Sequence, residues 1–198
     1  MIVVVRHGRT AANAGGLLLG RADPPLDDEG VGQARRLGSA CAGLDVARVV
    51  TSPLARCRAT AEALAGGLGS APPIEVDDRW IELDYGELDG RSLAEVPAAT
   101  WATWRADVTW APTGGESLAA LGARVRAACA DLAADAVRRD VVVVTHVSPI
   151  KAAVAWALGV GDDVAWRMWV APASVTRIGV ADDGTPSLRG FNDLAHLG

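Results

Sequence analysis

The sequence predicts a three-layer α/β/α domain, with helices on both faces of a mostly parallel central sheet. Two observations carry this. The β-branched runs Ile2–Val5 and Val141–Val144 read as strands buried on both faces, as parallel strands are. Segments with apolar residues at helical spacing follow such strands, so strands and helices alternate along the chain.

Taken in order, the Ile2–Val5 strand ends in a polar cluster. Asp27 and Asp28 then precede Val31, Ala34, Leu37 and Ala40, which share one helical face, and short acids suit a helix start. Ala47–Thr51 reads as a second buried strand. Pro53 suits a first helical turn, and its helix runs through Leu54, Ala61 and Leu64 to a stop at Gly66-Gly67. Ile74–Val76 predicts another short strand, Glu116–Val137 a long alanine-rich helix, and Pro149–Leu158 a further helix. Ser174–Val180 and Ser187–Phe191 flank Asp183-Gly184, a pair typical of a hairpin turn. The segment 95–113 breaks the alternation. It holds Trp101, Trp104 and Trp110 between Pro97 and Pro112, and reads either as cover for a site or as a buried helical flap. With no internal repeat, low-complexity tail or linker, residues 1–198 are read as one domain.

A chain of 198 residues buries roughly 70% of its unfolded surface without a metal or disulfide staple. The net charge of -5 argues against nucleic acid or an anionic membrane as main partner, since both need a dense basic face. Cys41, Cys57 and Cys129 are odd in number, far apart and not interleaved with histidine, so they read as small buried residues. Ile2–Val5 is too short for a signal-peptide core, and no apolar stretch approaches the ~20 residues of a spanning helix. A cytoplasmic protein is the expectation.

Chemistry concentrates after the predicted strands, where ligands sit in open α/β sheets. Arg6-His7-Gly8-Arg9-Thr10, with Asn13, follows the first strand, and Val144-Thr145-His146-Val147-Ser148 places a second histidine after another. The third histidine, His196, reads as a surface residue. Thr51-Ser52-Pro53-Leu54-Ala55-Arg56 delivers an arginine near a helix start, where its planar fork suits phosphate oxygens, while Arg58 reads as a solvated helix residue. The acidic stretch from Trp80 to Gly90 follows neither helical nor strand periodicity, and one of its carboxylates could supply a proton.

The order of Arg6-His7-Gly8, Asn13, Ser52-Pro53-Leu54 with Arg56, Glu82 before Gly86 and Gly90, and His146 resembles the histidine phosphatase superfamily, or phosphoglycerate mutase-like family. The likeness spans the chain. It implies a phosphoglycerate mutase-like fold, His7 as nucleophile, Glu82 as general acid, and Arg6, Arg56 and His146 around the phosphate, with Asn13 and Val147 also against the substrate. Gly20, Asp23, Pro25, Leu26, Gly30 and Gln33-Ala34 match as scaffold near the entrance. Arg9 and Ile81 depart from the usual pattern and, with the three tryptophans, are where substrate choice is expected to be written. The stretch Thr145–Lys151 is most similar to phosphatase domains that actinobacteria fuse to RNase H domains, which look like α-ribazole phosphatase.

The resemblance implies a metal-independent phosphomonoesterase of the histidine acid phosphatase type, with no cofactor and a small phosphate ester as partner. A homodimer is left open. Phosphoryl transfer asks for positioning and charge stabilisation, which two arginines and a protonated His146 could supply while neutral His7 attacks. A bisphosphoglycerate-dependent mutase and an idle phospho-ligand binding domain are the rival readings. The first is disfavoured because the related mutases are longer, the second because His7, Arg56, Glu82 and His146 are all present.

Overall fold

The computed structural model describes residues 1–198. Six strands form one sheet: β1 (Ile2–Arg6), β2 (Val46–Thr51), β3 (Ile74–Val76), β4 (Asp140–Thr145), β5 (Val175–Val180) and β6 (Pro186–Asp193). Their order is β3-β2-β4-β1-β5-β6. All pairs from β3 to β1 are parallel, β5 runs against β1, and β6 runs against β5, so β5 alone opposes the rest.

The period of two in the strands sorts their side chains onto the two faces. Val3, Val5, Val142 and Val144 pack with Leu37 of α2 (Asp28–Ala40) and Ala61 and Leu64 of α3 (Ala55–Gly66). Ile2, Val4, Val141 and Val143 pack with Leu121 and Val125 of α5 (Leu118–Arg138) and Ile150 of α6 (Val147–Leu158). Two apolar cores on opposite faces give the three layers, as expected. Two shorter helices, α1 (Ala11–Ala14) and α4 (Ala98–Ala106), complete the fold.

The details correct several sequence expectations. Val31 is exposed, and the buried face of α2 is Gly30, Gln33, Ala34, Leu37 and Gly38. Close approach explains the shift. A Cβ on Gly8 would strike the Gly30 carbonyl, and one on Gly30 would strike Arg9, so α2 lies directly on the loop after β1. Pro53 stands before α3, whose N-cap is Leu54, so it guides the chain into the helix and is not part of its first turn. α6 starts at Val147, two residues before Pro149, because a carboxylate from elsewhere satisfies its first N–H groups. His196 is half-buried, its Nε2 enclosed without a partner, because the C-terminal turn packs on α2. Arg58 is exposed and the three cysteines are buried and unpaired, as read.

The segment 95–113 combines its two readings. Trp104 on α4 is fully in the core, stacked on Trp101 at 5.7 Å and packed against Tyr85, Trp110 and Trp166. Trp101 and Trp104 also face a cavity that Trp110 does not line.

Candidate active site

The parallel strands β1, β2 and β4 end side by side, and their last residues lead straight into His7, Ser52 and His146. His7 is 2% exposed. Its Nδ1 lies 2.7 Å from the Gly8 carbonyl oxygen. A carbonyl can only accept, so Nδ1 carries the proton and Nε2 keeps a free lone pair. The His7 amide donates to the Thr145 carbonyl at 3.0 Å, and the Gly8 amide to Thr60 Oγ1 at 3.1 Å, which fixes the loop. Burial first, then the charges of Arg6 and Arg56, holds His7 well below the ordinary histidine range, so the ring is neutral.

Arg6 ends β1 and donates from NH1 to the Val170 carbonyl at 2.7 Å. Arg56, in the first turn of α3, is fully enclosed and donates to the Ala22 and Gly20 carbonyls at 2.7 and 2.8 Å. Both arginines keep a buried Nε–H without a partner. Burial lowers both guanidinium groups, Arg6 to about 10, which leaves them charged at neutral pH. Unpaired guanidinium donors in a buried site are costly unless an anion meets them, and phosphate oxygens match their geometry.

The clamp on Arg56 was only partly visible in the sequence. Asp89 accepts the N–H groups of Gly20, Arg21 and Ala22 at 2.8 to 2.9 Å, folding that loop so its carbonyls grip Arg56. Asp23 caps α3 through the Ala55 amide at 2.9 Å and lies 3.5 Å from Arg56. The scaffold residues Gly20 and Asp23 thus position an arginine.

Glu82 is buried, and its two oxygens accept N–H groups from Leu83 at 2.7 Å, Val147 at 3.1 Å and Ser148 at 3.2 Å. The helix end of α6 therefore anchors this carboxylate beside the cavity. Among its acidic neighbours, Asp84 accepts from the Gly86 amide and Asp89 builds the arginine clamp, so Glu82 is the one that faces the site.

His146 sits 5.1 Å from His7, ring centroid to centroid. Its Nε2 is 2.7 Å from Ser52 Oγ and 3.3 Å from Cys57 Sγ. Burial first, then His7, Arg56 and Arg6, holds it well below the histidine range. His146 is accordingly neutral, whereas the sequence reading has it as a cation. Neither His146 nor Arg56 lines the open cavity; both are fully buried.

The cavity, about 420 Å³, is lined by Arg6, His7, Asn13, Glu82 and Val147 among the anticipated residues. Arg9 and Ile81 are absent from it: Arg9 is tied to Asp27 and Glu29 at the start of α2. Tyr85, Ser148 and Lys151 were not anticipated. For the last two a signal existed, since Val147, Ser148 and Lys151 share a helical face at spacings of three and four.

The family model for the histidine phosphatase superfamily (branch 1) matches residues 2–194, and the chain belongs to this superfamily. The bifunctional protein Rv2228c of Mycobacterium tuberculosis is 32% identical over 203 residues, covering 99% of this chain and 54% of that protein. The adenosylcobalamin/α-ribazole phosphatase of Salmonella typhi is 29% identical over 195 residues, 97% of this chain and 96% of the relative. The solved structure of mycobacterial glucosyl-3-phosphoglycerate phosphatase Rv2419c with VO3 superposes with a TM-score of 0.86 at 30% identity, over 98% of this chain and 99% of the other. The chain spans about half the length of the first curated relatives it matches.

Proposed function

We propose that this protein is a metal-independent phosphatase that hydrolyses a small phosphomonoester through a phosphohistidine on His7. The observation that carries the reading is the His7 ring, fixed through Nδ1–H to the Gly8 carbonyl with Nε2 free, beside two arginines whose Nε–H groups are unpartnered. Its superfamily and its phosphatase relatives support it.

In the first step Nε2 of His7 attacks phosphorus and the P–O bond to the alcohol breaks, while Glu82 passes a proton to the departing oxygen. To do so Glu82 exchanges one backbone contact for that oxygen. In the second step water attacks the phosphohistidine, Glu82 takes its proton, and inorganic phosphate leaves. The incoming phosphate brings a negative charge that the protein itself does not place beside His146, so binding favours its cation near the transferring group. A mutase would have to hold a second phosphate, and the arginine and lysine that line the cavity, Arg6 and Lys151, both stand at its phosphoryl end. Water is the favoured acceptor.

The test is a rapid alkaline quench of the enzyme with a 32P-labelled ester in excess chelator. An acid-labile, alkali-stable adduct in the wild type and none in His7→Ala is expected. An acid-stable adduct, or turnover lost with the chelator, refutes the scheme.

A further inference from the structure

The cavity in front of His7 is larger than a phosphoryl group requires, and its lining is predominantly apolar. Fifteen of its twenty-three lining residues are hydrophobic. Among the apolar lining residues are Leu17, Leu19, Leu93, Trp166, Met168 and Trp169, contributed by three separate segments. Trp169 is 69% exposed and Leu93 47%, an unusual display of large apolar groups at the mouth of a cleft.

Few polar groups are presented to this space. Asn13 Oδ1 accepts the Thr10 amide, the Tyr85 hydroxyl lies 3.4 Å from Ser148 Oγ, and the indole N–H groups of Trp104 and Trp166 are buried beneath the surface without partners. Of the charged lining residues, Arg6 is bonded to the Val170 carbonyl and Glu82 to α6. Lys151 stands one helical turn beyond Val147, whose amide donates to Glu82, which places it at the phosphoryl end. A sugar or glycerate in this space would lose water from its hydroxyl or carboxyl groups and meet few partners, which is unfavourable.

Resting on the phosphatase reading, we propose that the alcohol released here is neutral and apolar, an alkyl or aromatic alcohol held against the leucine and tryptophan wall. The substrate is then a monoester with one charged end, the phosphate, which meets His7 and Arg6, and one end that seeks carbon. Specificity comes from burial and not from hydrogen bonding, so a range of such alcohols is accepted.

A series of ethyl, butyl and hexyl phosphate tests this with the protein as it stands, because the alcohols have nearly equal acidity and the chemical step is held constant. The expected result is a rise in kcat/KM of about fourfold per added methylene until the wall is covered. Glycerol 3-phosphate, phosphocholine and the phosphate ester of 6-hydroxyhexanoate fall well below hexyl phosphate. Trp169→Ser, at the exposed rim, and Leu17→Asn flatten the series. A flat series in the wild type, an unchanged slope in both variants, or preference for a carboxylated or choline ester overturns the proposal. Failure of the underlying phosphatase reading looks different: no ester is turned over and no phosphate is found on His7.

Discussion

The two ends of the cavity are built in opposite ways. At the phosphoryl end every group is tied down: His7 through Gly8, Arg56 through Gly20 and Ala22, Glu82 through the start of α6, His146 through Ser52. His7 and His146 follow directly on the ends of adjacent parallel strands, whose register is fixed by two buried cores, and Arg56 comes in the first turn of the helix after β2. The leaving-group end is lined by leucine, methionine and tryptophan side chains, and it draws on the loop after α1, the segment at Leu93 and the stretch before β5. A reaction common to a family needs the first kind of construction, since charge stabilisation depends on placement. Recognition of an apolar body needs only surface, and loops supply it.

This difference can be broken by variants that act alike on all esters or selectively on some. His146→Ala removes a group that belongs to the phosphoryl end alone. It is expected to lower kcat/KM by roughly two to four powers of ten for every ester tried, by the same factor. Initial rates on butyl, hexyl and p-nitrophenyl phosphate, with circular dichroism to verify the fold, measure this; a loss confined to one ester would erase the boundary drawn here.

Glu82 stands at that boundary, so its variant should behave as neither end does. Glu82→Gln keeps the size and removes the transferable proton. With alkyl phosphates, whose alcohols leave poorly, a loss of about a hundredfold is expected. p-Nitrophenyl phosphate should lose less than about tenfold, because its phenolate departs without protonation. The comparison belongs on kcat/KM, which reports steps through the first irreversible one. Equal losses on both esters would move the acid role elsewhere, with Asp84 the next residue to test.

The same division decides what could be read before the structure was known. Arg6-His7-Gly8, Arg56 and His146 were legible because each follows a strand whose β-branched run announces it. Glu82 was distinguishable from Asp84 and Glu87 only through resemblance; the reason it faces the site is the helix start of α6, 65 residues away. Asp89 and its clamp on the 20–22 loop were invisible, since one carboxylate gathers three amides across 67 to 69 positions. The apolar wall has no motif at all. Any leucine or tryptophan in a loop reads as core until the fold brings residues 17, 93 and 166 together. Arg9 and Ile81 misled for the opposite reason: they depart from a pattern, yet neither reaches the cavity.

The smallest expected effect concerns stability, and it again separates the ends. His7 and His146 are buried and held well below the ordinary value of 6.5, chiefly by desolvation. An unfolded chain takes up protons on both rings as pH falls through about 6.5, while the folded chain does not. Stability is therefore intact above that value and declines below it, by up to about 1.4 kcal/mol per histidine at pH 5.5. The carboxylates held low, such as Asp27, Asp77 and Asp193, lose their contribution only at lower pH, below their ordinary value of 3.8. Between pH 7.5 and 5.5 the histidines consequently dominate. Urea unfolding of wild type, His7→Gln and Trp169→Ser at both values measures the difference. His7→Gln should lose about 1.4 kcal/mol less than wild type on acidification, since one titrating ring is gone. Trp169→Ser should lose as much as wild type, because the leaving-group wall contributes no histidine. If His7→Gln declines as steeply as wild type, the His7 ring is already protonated in the folded protein, and its Nε2 is not the free nucleophile that the Gly8 contact implies.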